Sequence, residues 1–341
     1  MVGRWLIYAL GGGMGHLTRA SALARAASQR GHGVVLLINT PFAPGLPLED
    51  VLGSRVEVLR LSPALGREGV GQVVARCLKD LRPDLFVVDT FPRGLGGELV
   101  PLLPKMRARK VLVHRDVNPA YVKKFGLARA VDAFDLLLVP GEDAPFASHP
   151  RAVRTAPWLL LRAGELLSRE AARARLNVRP GDARPLVAVM GCGTSEEVAE
   201  AGDIAARLEA ALGSRARVRW LMPPGADADS AGLPEASLAS RAVVWPALAV
   251  LPGVDVLVGA GGYNTVQEAR ATGTPFVALA RPRLYDRQAV RLRPEELAGS
   301  VEALVARAAQ LASGRPVRGP CLYLSGTEDA VTLIERTVLS A

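Results

Sequence analysis

The sequence predicts an α/β protein of two Rossmann-like domains, each a parallel sheet covered by helices, facing a central cleft. Three observations predict this. Short apolar runs alternate with helix-period segments along the chain, the pattern of parallel βαβ units. The alternation breaks once, near residues 156–184, and then restarts. Hydrophobic residues make up 49% of the 341 and aromatics only 5%, so the core is aliphatic, as sheets buried on both faces require.

In the first half the strand candidates are Trp5–Leu10, Val34–Ile38, Val56–Leu61, Leu85–Val88, Val111–His114 and Leu136–Val139. A helix is expected over Val70–Leu81, where Val70, Val73, Val74, Cys77, Leu78 and Leu81 share one face. The Arg-, Pro- and Glu-rich stretch that follows reads as a linker with one amphipathic helix, Ser168–Leu176. Beyond it come strand Leu186–Met190, helix Ser195–Leu212, strands Val218–Met222, Ala242–Trp245 and Val256–Val258, a helix from about Asn264, strand Phe276–Leu279 and a last helix near Glu328–Val338. The expected domains are 1–155, a linker 156–184, 185–325 and a C-terminal helix 326–341. Ligands of such sheets bind beyond the carboxyl ends of the strands.

The net charge is +9, and only five of the 42 basic residues are Lys. Arginine binds phosphate bidentately, although an Arg-rich base composition of the gene gives the same balance. No basic run interleaved with aromatics points to nucleic acid. Cys77, Cys192 and Cys321 form no CxxC pair, which argues against a zinc knuckle or disulfide framework and fits a reducing cytoplasm. No stretch reaches 18 clean apolar residues, so no transmembrane helix is expected. Pro157–Arg162 reads as a buried linker segment or, less favoured, an apolar-basic patch for peripheral contact with the inner face of the membrane.

Three glycine loops each sit between an apolar run and a helix. Glycines let backbone N–H groups approach a ligand, and a helix start favours negative charge. The first loop, Gly11-Gly12-Gly13-Met14-Gly15-His16, lacks the full dinucleotide fingerprint and has no acidic residue after the second strand. His16 at its helix start is either a general base or a capping and packing histidine. The second loop is Gly191-Cys192-Gly193-Thr194, where Thr194 and Glu197 have capping-box spacing. The third is Gly259-Ala260-Gly261-Gly262-Tyr263-Asn264-Thr265, with Glu268 one turn into the helix, placed to cap or to accept from ribose hydroxyls. Tyr285-Asp286-Arg287-Gln288 follows the next strand and is a candidate for binding sugar hydroxyls.

Taken in this order, the loop with His16, Gly191–Thr194, Gly261–Glu268 and Asp286-Arg287-Gln288 resemble glycosyltransferase family 28, the MurG-like enzymes of the GT-B superfamily. The resemblance spans nearly the whole chain, and a MurG-related group resembles it further at Gly15-His16-Leu17 with Arg19, Thr90-Phe91-Pro92 with Glu98, and Arg115-Asp116. It implies metal-independent, inverting transfer from a UDP-sugar, UDP-GlcNAc being the donor suggested, with no cofactor. By the same resemblance Gly261 and Gly262 would hold the diphosphate, with Gly13, Gly15, Gly193, Thr194, Tyr263, Asn264 and Thr265 in the loops that line it. Glu268 would hold the ribose, backbone near Val244 the base, and Gln288, with Asp286 and Arg287, the donor sugar; His16 would lie at the reaction centre. The chain departs at Met14, where the family has glycine, at Arg19, where it has proline, and in having one glutamine after Asp286-Arg287 instead of two. A second resemblance, through Gly13–Ala24 and Leu85–Thr90, is to the UDP-sugar hydrolase of pseudaminic acid synthesis.

For catalysis His16 is the first candidate base and Asp116 the second, followed by Asp89 and Glu98. Asp227-Ala228-Asp229 reads as solvated loop, and no metal is expected. Three functions stand open: glycosyl transfer to a lipid, protein or small acceptor; nucleotide-sugar hydrolysis; and non-enzymatic sugar-nucleotide binding.

Overall fold

The computed structural model describes residues 2–191, 193–225, 240–314 and 316–340. Cys192 and the Asp227-Ala228-Asp229 segment lie outside the described residues. The chain forms two compact units. The first comprises residues up to Leu160, Leu284–Arg287 and the segment from Ser325; the second comprises Leu161–Arg283 and Gln288–Leu324.

The first unit is built on a seven-stranded sheet of β1 (Arg4–Ala9), β2 (Gly33–Ile38), β3 (Val56–Arg60), β4 (Leu85–Asp89), β5 (Arg109–Val113), β6 (Leu136–Pro140) and β7 (Ala152–Thr155). Its order is β3-β2-β1-β4-β5-β6-β7, and every pairing is parallel. The apolar runs become central strands because each residue of β4 and β6 is buried. The helix expected over 70–81 forms over Arg67–Leu81. Its Val70, Val74 and Cys77 join Leu6, Tyr8, Phe86, Val88 and Leu112 in one core, and Val73, Leu78 and Leu81 pack on its margin. The sequence reading missed β7, whose residues are only partly buried and show no apolar run.

The second unit carries a six-stranded parallel sheet of β8 (Leu186–Met190), β9 (Arg217–Met222), β10 (Arg241–Val243), β11 (Val256–Ala260), β12 (Phe276–Leu279) and β13 (Leu297–Ala298), in the order β10-β9-β8-β11-β12-β13. β13, two residues long, was also missed. The linker helix forms over Arg169–Arg175, with Ser168 as its N-cap accepting from Ala171 N at 3.2 Å. Trp158, Leu159, Leu160 and Leu161 are buried, so the alternative of an exposed apolar patch at Pro157–Arg162 is wrong. Among the described residues no helix is long and apolar enough to cross a membrane.

The C-terminal helix Thr327–Ile334 belongs to the first unit and continues as a wider π-turn over Glu335–Leu339. His32, between Gly31 and Gly33, is buried: its Nδ1 accepts from Gly3 N at 3.0 Å and its Nε2 meets Glu335 at 2.9 Å.

Both sheets share one feature that positions the site. From β1 the chain runs outward through β2 and β3, then returns to lay β4 on the other side of β1; from β8 it does the same through β9, β10 and β11. Each unit therefore has a topological switch point, between β1 and β4 in the first and between β8 and β11 in the second. At such a point the loops leave in opposite directions and open a crevice beyond the strand ends.

Candidate active site

At the first switch point the chain turns from β1 through the glycine loop into helix Met14–Gln29, whose N-cap Gly13 makes no side-chain cap bond. His16 sits in the first turn. Its ring packs against the loop so closely that a Cβ on Gly11 would lie 2.7 Å from Nε2, so residue 11 is glycine. Nothing lies within 4 Å of where a side chain would stand on Gly12 or Gly15. The Gly11 N–H is held by Asn39 Oδ1 at 2.7 Å, a link from the end of β2.

The partner of His16 comes from β4, across the switch point. His16 Nδ1 lies 2.6 Å from Asp89 Oδ2, and the Arg19 guanidinium forks onto both carboxylate oxygens at 2.7 and 2.6 Å. Asp89 is 1% exposed. Burial alone would raise its pKa, but the charge of Arg19 and the hydrogen bond from His16 outweigh it and hold the carboxyl well below the usual carboxylate range. An ionised carboxylate only accepts, so the imidazole donates through Nδ1–H, and Nε2 is the nitrogen left to face away from Asp89. Thr90, next along, has φ 68°, a left-handed conformation rarely taken by a β-branched residue. The other face of the imidazole is bordered by Phe91, ring centroids 5.2 Å apart, and Phe91 is met edge-on by Tyr285 at 5.0 Å.

At the second switch point two glycine loops lie beside each other, because β8 and β11 pair. Gly191–Thr194 leads into helix Ser195–Leu212, where Thr194 Oγ1 accepts from Glu197 N at 3.4 Å. The reciprocal half of the expected capping box does not form; the Glu197 carboxylate pairs with Arg283 instead. Gly261-Gly262 leads into helix Tyr263–Ala271, whose N-cap Gly262 has no side-chain cap bond and open space around it. Its first-turn N–H groups carry the helix's partial positive charge. Glu268, on the second turn, is buried, and the structure gives its carboxylate no partner among the described residues; burial pushes its pKa up to about 8.

No protein-family model and no curated protein matches the chain. Solved structures do. The glycotransferase of kitacinnamycin superposes with a TM-score of 0.63 at 18% identity, over 99% of this chain and 100% of that one. Arabidopsis thaliana UGT89C1, complexed with UDP-L-rhamnose, gives 0.58 at 14% identity over 100% and 95%. The Streptomyces sp. SF2575 glycosyltransferase SsfS6, complexed with thymidine diphosphate, gives 0.58 at 16% identity over 98% and 99%.

The chain has the GT-B fold. Within it the sequence-derived site residues separate into groups. Gly13, Gly15 and His16 stand at the first switch point; Gly193, Thr194, Gly261, Gly262, Tyr263, Asn264, Thr265 and Glu268 stand at the second. Val244 follows β10, and its N–H is already used by Met222 O at 2.9 Å, so any contact to a base falls to its carbonyl. The Tyr285–Gln288 run is divided between the two units. Tyr285, Asp286 and Arg287 belong to the first unit, where Asn118 N donates to Tyr285 O at 3.0 Å, whereas Gln288 belongs to the second and accepts from Arg281 N through Oε1 at 2.8 Å.

The three candidate carboxylates sit in different surroundings. Asp116 is closed off by a two-armed ion pair with Arg287. Glu98 is a buried loop clamp: it accepts from the Tyr8 hydroxyl, from Leu95 N at 3.2 Å and from Gly96 N at 2.8 Å. Asp89, placed third from the sequence, is the acid beside His16. Among the described residues no group of three or more His, Cys, Asp or Glu side chains is arranged to hold a metal.

Proposed function

We propose that the protein is a glycosyltransferase of family 28 type, moving a sugar from a UDP-sugar to an acceptor hydroxyl with inversion and without a metal. The observation that supports this most is the Asp89-held imidazole of His16 at a switch point of a GT-B fold. In this reading His16 Nε2 takes the acceptor proton as the hydroxyl oxygen attacks the anomeric carbon. The bond from that carbon to the diphosphate oxygen breaks, and the diphosphate leaves with the electron pair. The helix start at Gly262, with Gly261, Gly193 and Thr194 beside it, stabilises the charge that grows there. Glu268 receives the ribose hydroxyls, which supply the donors its buried carboxylate lacks. Gln288 keeps its amide N–H₂ for the sugar, since its Oε1 is occupied. A nucleoside diphosphate is also the ligand class found with UGT89C1 and SsfS6. The well-separated cysteines suit a cytoplasmic setting.

The deciding experiment incubates pure protein with a panel of UDP- and dTDP-sugars, with and without a mixed set of hydroxyl acceptors, and measures nucleotide release. Acceptor-dependent release that disappears in His16→Ala is the expected result. Equal release without acceptor would make the protein a hydrolase, and failure to bind any nucleotide would refute the reading.

A further inference from the structure

The chemistry proposed above makes no use of a fully buried arginine that touches its centre. Arg19 is 1% exposed and stands three residues after His16, so both side chains lie on one face of helix Met14–Gln29. Its Nε meets Asp89 Oδ1 at 2.7 Å and its Nη2 meets Oδ2 at 2.6 Å, with a further bond from Nη2 to Thr90 Oγ1 at 3.0 Å. Oδ2 is the shared atom, since His16 Nδ1 approaches it at 2.6 Å. A buried ion pair adds little net stability, because desolvation offsets the attraction. The terminal torsion of an aspartate is broad and two-fold, so a carboxylate bound by one histidine alone would turn. A guanidinium fork fixes the carboxylate plane. The same fork reaches the hydroxyl of Thr90, whose left-handed backbone (φ 68°) persists only where neighbours hold it.

We infer that Arg19 is a positioning residue for His16: it locks the Asp89 carboxylate, and through Thr90 the end of β4, so that Oδ2 holds Nδ1 and the imidazole presents Nε2. The charged and titratable groups that meet this centre include His16 and Arg19 from the helix and Asp89 from β4. Lysine keeps the charge but cannot fork, so Arg19→Lys separates orientation from electrostatics.

The activity arm of the test rests on the glycosyltransferase reading; the spectroscopic arm does not. In the wild-type protein, low-field ¹⁵N-edited proton NMR should show the His16 Nδ1–H and Arg19 Nε–H signals, both protected from exchange. In Arg19→Lys the His16 signal should broaden or vanish, kcat should fall on the order of 10–100-fold, as misplacement by up to about 1 Å does, and KM for the nucleotide sugar should hold. In a His16→Ala background the same substitution should cost nothing more. A protected His16 signal in Arg19→Lys, or an equal loss of turnover with and without His16, would overturn the inference, as would an unprotected Arg19 Nε–H in the wild type, a measurement that needs no variant to fold. If the signals behave as expected but no nucleotide sugar turns over, the glycosyltransferase reading fails and the positioning role stands.

Discussion

The two switch points share a strand order and differ in how finished they are. At the first, the groups that would do chemistry are already held: Asp89 is bound by Arg19 and His16, His16 is aimed by Asp89, and Asn39 ties the loop behind it. At the second, a helix start and one carboxylate stand out. The N-cap Gly262 of helix Tyr263–Ala271 makes no side-chain cap bond and has open space around it, and the Glu268 carboxylate is buried with no partner among the described residues. A pre-organised cluster avoids reorganisation during reaction. An unpaired buried carboxylate costs stability that a bound ligand can return. Under the proposed function the difference is a division of labour: the first unit would move a proton, and the second would be completed by a ligand.

The sharpest way to break this division is His16→Ala. Turnover should drop by about 10²–10⁴-fold, the range for removal of a general base, with the Kd for UDP unchanged by calorimetry. Loss of UDP binding in step with turnover would mean the first switch point also holds the nucleotide. Gly11→Ala tests the same point without touching a titratable group. The new Cβ would lie 2.7 Å from His16 Nε2, so the ring must move. A rate loss on the order of 100-fold is expected, whereas Gly12→Ala, with nothing within 4 Å, should leave the rate near wild type.

All three glycine-loop positions were legible in the sequence because each follows a buried apolar run and precedes a helix, and β1, β8 and β11 formed where those runs stand. The partner of His16 was not legible. Asp89, Glu98 and Asp116 all follow apolar runs or glycines, and one-dimensional spacing does not separate them. What selects Asp89 is that β4 lies beside β1 although two strands intervene in sequence. Asp116 lost its apparent freedom to Arg287, 171 residues away, a pairing no local pattern encodes. The Tyr285–Gln288 run looked like one polar cluster because sequence shows adjacency; the fold assigns its residues to different units. β7 and β13 escaped because short, half-exposed edge strands carry no periodicity.

At the second switch point, Glu268→Ala should weaken UDP binding by about 10-fold or more, the worth of hydrogen bonds to a charged acceptor, while kcat at saturating donor changes little. Equal binding of UDP by the variant would remove Glu268 from the ribose site.

Glu268→Gln gives the smaller and more diagnostic effect, on stability against pH. The folded-state pKa is raised from 4.5 to about 8 by burial. Below pH 4.5 the carboxyl is neutral in both folded and unfolded chains, and its contribution to stability is fully present. Between 4.5 and 8 the folded state holds a proton that the unfolded state has released, so stability falls as pH rises, and above about 8 the loss is complete. Glutamine cannot ionise and escapes this loss. The variant should therefore match the wild type in thermal melting near pH 4.5 and exceed it at pH 8, by an amount on the order of a few kcal/mol at most. Saturating UDP should narrow the gap at pH 8, because ribose hydroxyls donating to the carboxylate favour its ionised form in the wild type alone. A gap that UDP leaves untouched would show that the nucleotide does not reach Glu268, and the second switch point would then be unfinished for some other ligand.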